Sequence, residues 1–226
     1  MQTYSLVQLT EIRAIMERSL RFLSLSGLSG VGAGVVALLG TAAGHFYLQA
    51  YYPSEYGASG YQHLLASTAE ERQAALSFLL LLAAAMVAAA LLVAWFFTQR
   101  QGPGQPLWNS LTRRLLVALA LPLGAGGLFC LRLYLGGDAG LVVPGLLVFY
   151  GLALLNASKY TFDEIRWLGL RQLGLGLVAM LLPGWGVVFF GLGIGLGHIG
   201  YGLRMYQRYE WPAGPAGAPA ASVLGR

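Results

Sequence analysis

Few residues of this chain have types suited to chemistry in an apolar setting, and they fall in three places. His198 lies inside the final hydrophobic run, Gly184 to Tyr206, GWGVVFFGLGIGLGHIGYGLRMY. A polar side chain inside a bilayer is expensive and marks either a pathway or proton relay, or a bond to a neighbouring carbonyl or hydroxyl. The second place is KYTFDEIRWLGLR, Lys159 to Arg171. Thr161 there is an N-cap candidate, and Asp163 and Glu164 in the following first turn suit the positive end of a helix dipole. Those residues with Arg166 make either a cytoplasmic gate or docking site, or a capped amphipathic turn anchored by Trp167. The third place is Arg132, six residues before Asp138. It reads as an arginine snorkelling to the outer interface, as an ion pair with Asp138, or as an anion site.

Several chemistries are excluded. The other histidines, His45 and His63, share no depth with His198 and no H-x-x-x-H or Cys/His cluster exists, which argues against haem and zinc. A single cysteine, Cys130, leaves no internal disulfide and no multi-cysteine metal site. Walker-type loops, nucleophile elbows and paired intramembrane carboxylates are absent. GLGIGLG follows no strand and sits in apolar surroundings, so it is a packing motif and not a nucleotide fingerprint. No cofactor is expected.

The elements that must position these residues are membrane helices. The 226 residues are 57% hydrophobic and 10% charged, against about 25% charged in soluble domains. The net charge of +5 comes from basic residues scattered between apolar runs, which is a topology signal and excludes a nucleic-acid patch. Apolar runs near 22–48, 75–98, 115–135, 140–157, 171–183 and 185–206 predict six spans. The fifth is short, and Pro183-Gly184 makes a tight hairpin to the sixth; a re-entrant pair is the alternative. With the N-terminus inside, twelve of the fourteen Lys and Arg residues fall on the cytoplasmic side, and only Arg72 and Arg132 fall outside. Both termini are therefore expected in the cytoplasm.

Glycine organises the ends of this bundle. At about 100° per residue, Gly191, Gly195 and Gly202 form one stripe and Gly193, Gly197 and Gly200 the opposite one. Two such faces predict a helix wedged between neighbours, with His198 on the first stripe. In the first span Ser26, Gly30 and Gly34 repeat every four residues, then Gly40 and Gly44, a second small-residue packing helix. Residues 1–21 read as a cytoplasmic amphipathic helix along the interface, with Ser5 and Gln8 as a capping box. The membrane domain is 22–211, with an external loop at 49–74 rich in tyrosine and a cytoplasmic motif loop at 158–171. The Pro/Gly/Ala-rich tail, 212–226, is expected to be disordered. Glu11-Ile12-Arg13 with Arg18, and Glu164-Ile165-Arg166 with Arg171, form a short internal echo. It reads as two interfacial lead-in helices or as a weak repeat. The late start of the first apolar run, near Phe22, argues against a cleavable signal peptide.

Three stretches, EIRAIMERSLRFLSLSGLSGVGAG, KYTFDEIRWLG and LGIGLGHIGYGLRMYQRYE, resemble an uncharacterised family of small multispanning inner-membrane proteins from Bacteroidota. They cover about a quarter of the chain. The resemblance implies a membrane-embedded fold in a bacterial inner membrane and brings no substrate, cofactor or catalytic residue.

The fold expected is thus an all-α integral membrane protein with six transmembrane helices. Its expected partners are membrane lipids and either a second copy or a cytoplasmic protein. The leading functional expectation is a non-enzymatic regulatory or scaffolding module with a cytoplasmic docking rim. A small-solute or ion transporter working through His198 is the alternative, and an intramembrane lipid-modifying enzyme the weaker one.

Overall fold

A computed structural model describes residues 27–53, 59–99 and 110–211. The expected amphipathic helix at 1–21, loop residue Tyr56, the Pro/Gly turn before Trp108 and the 212–226 tail lie outside the described residues. Every regular element among the described residues is helical. In chain order they are α1 (Gly27–Tyr51), α2 (Gly60–Ala66), α3 (Ala69–Gln99), α4 (Ser110–Gly136), α5 (Val142–Ala157) and α6 (Asp163–Leu181). A final rod follows: a 3-10 turn, α7 (Gly186–Phe190), π-helical turns at Gly191–Leu196, α8 (Gly197–Met205) and a second π stretch at Tyr206–Glu210.

Five helical stretches are long and apolar enough to cross a membrane: Gly27–Tyr51, Ala69–Phe97, Thr112–Gly136, Ala139–Tyr160 and Pro183–Tyr209. Their exposure pattern fits a multi-pass membrane protein. No part of the most apolar stretch of α3 is buried against protein, and Leu81, Leu128 and Leu181 are 72%, 73% and 80% exposed. Bare leucine around a whole helix needs a hydrocarbon solvent to cover it. The helix α6 is not among the five because Asp163, Glu164, Arg166 and Arg171 lower its hydropathy. It begins at Asp163, eight residues before the predicted fifth span, and at 19 residues it is roughly 28 Å long.

The predicted external loop, 49–74, contains structure. Ser59 and Gln62 form a reciprocal capping box that starts α2, and Thr68 and Glu71 do the same for α3. The short helix α2 lies across the end of the bundle, where Tyr61 and Leu64 join Leu48, Tyr52 and Ala75 in a buried cluster. Gly60 makes that seat: a Cβ there would lie 2.2 Å from the Leu48 carbonyl oxygen. The Tyr134 hydroxyl donates to the Arg72 carbonyl at 2.6 Å, and Gly140 packs against Pro183. Arg72, Asp138 and Pro183 therefore share one end of the bundle. Asn156 reaching the Ala118 carbonyl at 2.9 Å, and Glu164 meeting Arg208, define the opposite end.

Glycine brings backbones together along two interfaces. A Cβ on Gly202 would lie 2.4 Å from Val31 N, and one on Gly34 would lie 2.6 Å from the Gly195 carbonyl oxygen. Gly30 packs against Gly202 at 3.1 Å by the same measure, while Gly191 and Gly195 face Leu38 of α1. The second interface joins α5 to α6, where Gly151 faces Gly169 O at 2.8 Å and Gly176 faces Val148 N at 2.9 Å. Sequence reading assigned glycine packing to the first and last helices and missed this pair, although Gly169 and Gly176 are one heptad apart on one face.

Candidate functional site

The last rod meets α6 through polar groups. On α6, Gln172 is 1% exposed, and its Nε2 donates to the Gly193 carbonyl at 2.7 Å. Its neighbour Arg171 donates from Nη2 to the Gly197 carbonyl at 3.2 Å. Gly193 belongs to the π-helical turns, whose i→i+5 pattern redistributes backbone bonds. Absent side chains at Gly193 and Gly197 leave the room these two groups occupy: a Cβ on Gly193 would lie 2.6 Å from Gln172 Oε1. Among the described residues that oxygen has no hydrogen-bond partner. Gln172 was missed in the sequence, although a single amide in an apolar helix is itself a signal.

His198 stands one turn further along. Its Nδ1 contacts the Ile194 carbonyl oxygen at 2.7 Å, so Nδ1 carries the proton, and Nε2 accepts from the Tyr150 hydroxyl at 2.5 Å. Both ring nitrogens are occupied by the protein. The expectation that His198 shares the direction of Gly191, Gly195 and Gly202 needs correction. That stripe meets α1, whereas the imidazole bonds to α5. Gly202 shares α8 with His198, yet its backbone meets Val31 of α1 while the imidazole reaches Tyr150 of α5.

Toward the end of the bundle that holds Glu164, α6 and the last rod line a cleft of about 460 Å³. Arg171, Arg204 and Arg208 line it with Asp163 and Glu164, and Trp167, Leu168, Gly200 and Tyr201 complete its wall. Glu164 is 8% exposed and holds Arg208 Nη1 at 2.7 Å, and the Tyr209 hydroxyl donates to the same carboxylate at 3.3 Å. Among the described residues Arg204 has no carboxylate within ion-pair distance, and three guanidiniums line the cleft with two carboxylates. The cleft is a cation-rich recess in which one arginine, Arg208, is paired with Glu164. Trp167, 69% exposed, forms its lip.

The structure thus gathers Asp163 and Glu164 with arginines of the last rod and separates them from the other candidates. Arg166 is exposed and does not line the cleft. Arg132 lies at the opposite end, its guanidinium folded back toward Gly136, and among the described residues it forms no ion pair with Asp138. Thr161 does not cap α6: it closes the 3-10 turn Ser158–Tyr160, and Phe162 occupies the N-cap with no side-chain bond. The extra turn carries α5 three residues further and shifts the start of α6.

A second cavity, about 340 Å³, lies at the α2 end among Gly44, Leu64, Met86, Cys130, Val142 and Val187 and is lined almost wholly by carbon. Cys130 is buried there, its thiol facing the Val142 carbonyl at 3.6 Å. Among the described residues, no group of three His, Cys, Asp or Glu side chains is placed to hold a metal ion. Compared with protein families, with curated proteins and with solved structures, the chain matches none.

Proposed function

We propose that this chain is a non-enzymatic regulatory or scaffolding module of a bacterial inner membrane, docking an anionic group of another component in the arginine cleft. In this reading α6 is a sixth span, both termini are cytoplasmic and the cleft opens at the cytoplasmic face. The observation that carries it is the cleft itself. Among the described residues Arg171 and Arg204 line it without a carboxylate ion pair, while Glu164 holds Arg208 beside them. Orientation draws support from the ends of the bundle, since Lys159, Arg166, Arg204 and Arg208 lie at one end and Arg72 and Arg132 at the other.

The test is a photo-crosslinking amino acid in place of Trp167, on the exposed lip, irradiated in membranes. A discrete adduct, with lipid or with protein, is expected and should be lost on Arg204→Glu. Absence of any adduct, in a protein that also forms no oligomer, would remove the docking reading.

A transporter or channel centred on His198 draws on one observation, the 2.5 Å contact with Tyr150. Liposome flux compared between wild type and His198→Ala decides it: no flux above empty vesicles in either ends that reading.

A further inference from the structure

We infer that the anionic group received by the cleft is the phosphate of an acidic phospholipid from the adjoining leaflet. This rests on the docking reading above and names its ligand. The first argument is charge. Arg171, Arg204 and Arg208 against Asp163 and Glu164 leave one positive charge, and Glu164 is already spent on Arg208 at 2.7 Å. A recess with a single unbalanced guanidinium charge complements one singly charged phosphodiester, and arginine forks match phosphate oxygens in pairs.

The second argument is shape. A Cβ built on Gly200 meets nothing within 4 Å, so α8 leaves a hollow where this exposed glycine lines the cleft. Glycine is not required there by helix contact, unlike Gly202 two residues on, which presses on Val31. The hollow admits a headgroup between Arg204 and Arg171.

The third argument is depth and access. The cleft lies at the end of two long helices, with exposed Trp167 at its lip and Tyr201 in its wall. Indole and phenol groups settle at headgroup level, and Leu168 gives the cleft an apolar floor below. Basic pockets between membrane helices at this depth recognise lipid headgroups. A soluble phosphate would gain the charge contacts and nothing from Trp167 or Leu168.

The experiment is native mass spectrometry of the full chain in gentle detergent, after equilibration with phosphatidylglycerol or with phosphatidylcholine. One retained phosphatidylglycerol per chain is expected, with phosphatidylcholine retained far less. Arg204→Gln should lower occupancy about fivefold, the share of one interfacial guanidinium. Gly200→Leu, which fills the hollow and leaves every charge in place, should also release the lipid. Melting temperature and monodispersity, read in parallel, should stay at wild-type values for both variants. Equal retention of the two lipids, or full retention in both variants, overturns the proposal. Displacement of the lipid by millimolar inorganic phosphate would assign the cleft to a soluble anion instead. If the Trp167-position crosslinker traps a protein while phosphatidylglycerol binding is unaffected by Arg204→Gln, the docking reading survives and the lipid assignment fails.

Discussion

The last rod has two faces, and glycine does different work on each. Toward α1, Gly202, Gly195 and the partner glycines Gly27, Gly30 and Gly34 let backbone touch backbone. A Cβ on Gly27 would lie 2.5 Å from the Gly202 carbonyl oxygen. Close backbone contact is what the glycines supply there, as expected where lipid removes the hydrophobic drive. Toward α6 the missing side chains make room for something else. Gly193 and Gly197 make room for Gln172 and Arg171, and at Gly200 the room is empty and becomes the cleft. The lesson is that a glycine stripe marks where space is withheld from side chains, and the neighbour decides whether a backbone, an amide or a ligand takes it.

The comparison breaks most sharply at Gly202. Gly202→Leu must push α1 away from the rod, because both neighbours, Val31 N and Gly27 O, are backbone. A loss of about 3 kcal/mol is expected, read as a lower thermal midpoint and aggregation on size exclusion. An unchanged midpoint would mean that the α1 face is not close-packed.

On the α6 face, Gln172→Leu removes the bond to the Gly193 carbonyl and also the unpartnered Oε1. The two effects oppose each other, so the expected cost is about 1 kcal/mol, measured by the same melt. A change as large as that of Gly202→Leu would show that the polar face, and not the glycine face, dominates cohesion.

Glu164→Gln should cost less, under about 1 kcal/mol, because Arg208 is 60% exposed and water screens the pair. Its difference from wild type should shrink in high salt. By freeing Arg208 it should also raise phosphatidylglycerol retention, which separates the cleft's charge from its stability. Gly200→Ala, with open space around the added methyl, should be neutral or slightly stabilising, by no more than about 1 kcal/mol. That outcome, set against Gly202, isolates contact from residue type.

A pH-dependent effect lies at the far end of the rod. Gly186 accommodates the Tyr61 hydroxyl, and burial pushes that group up to about 12 from 10.0. The folded state favours the neutral phenol, so its contribution is whole below pH 10 and is lost as pH rises toward 12. Melts at pH 9 and pH 11 should differ for wild type and differ less for Tyr61→Phe. Equal pH sensitivity in both would place the titration elsewhere.

The sequence by itself determined the broad class. Apolar run lengths and a charged fraction of 10% are summed over many residues, so they survive errors at single positions. Glycine spacing also marked which faces of the last rod lack side chains, because angular position on a helix is a local property. The capping boxes Ser59–Gln62 and Thr68–Glu71 were equally local and readable, though overlooked in a loop judged by its tyrosines. Tertiary structure alone decided the rest. Gln172 and Tyr150 matter through carbonyl and imidazole partners 21 and 48 residues away, and no periodicity encodes such pairings. His198 reached the Tyr150 hydroxyl of α5 while the glycines of its stripe packed on α1, a choice of neighbour that helical angle does not fix. The cleft exists because side chains of α6 and of the last rod line one recess. Their packing sets Glu164 beside Arg208 across 44 positions of chain, a relation between helices that neither sequence segment contains.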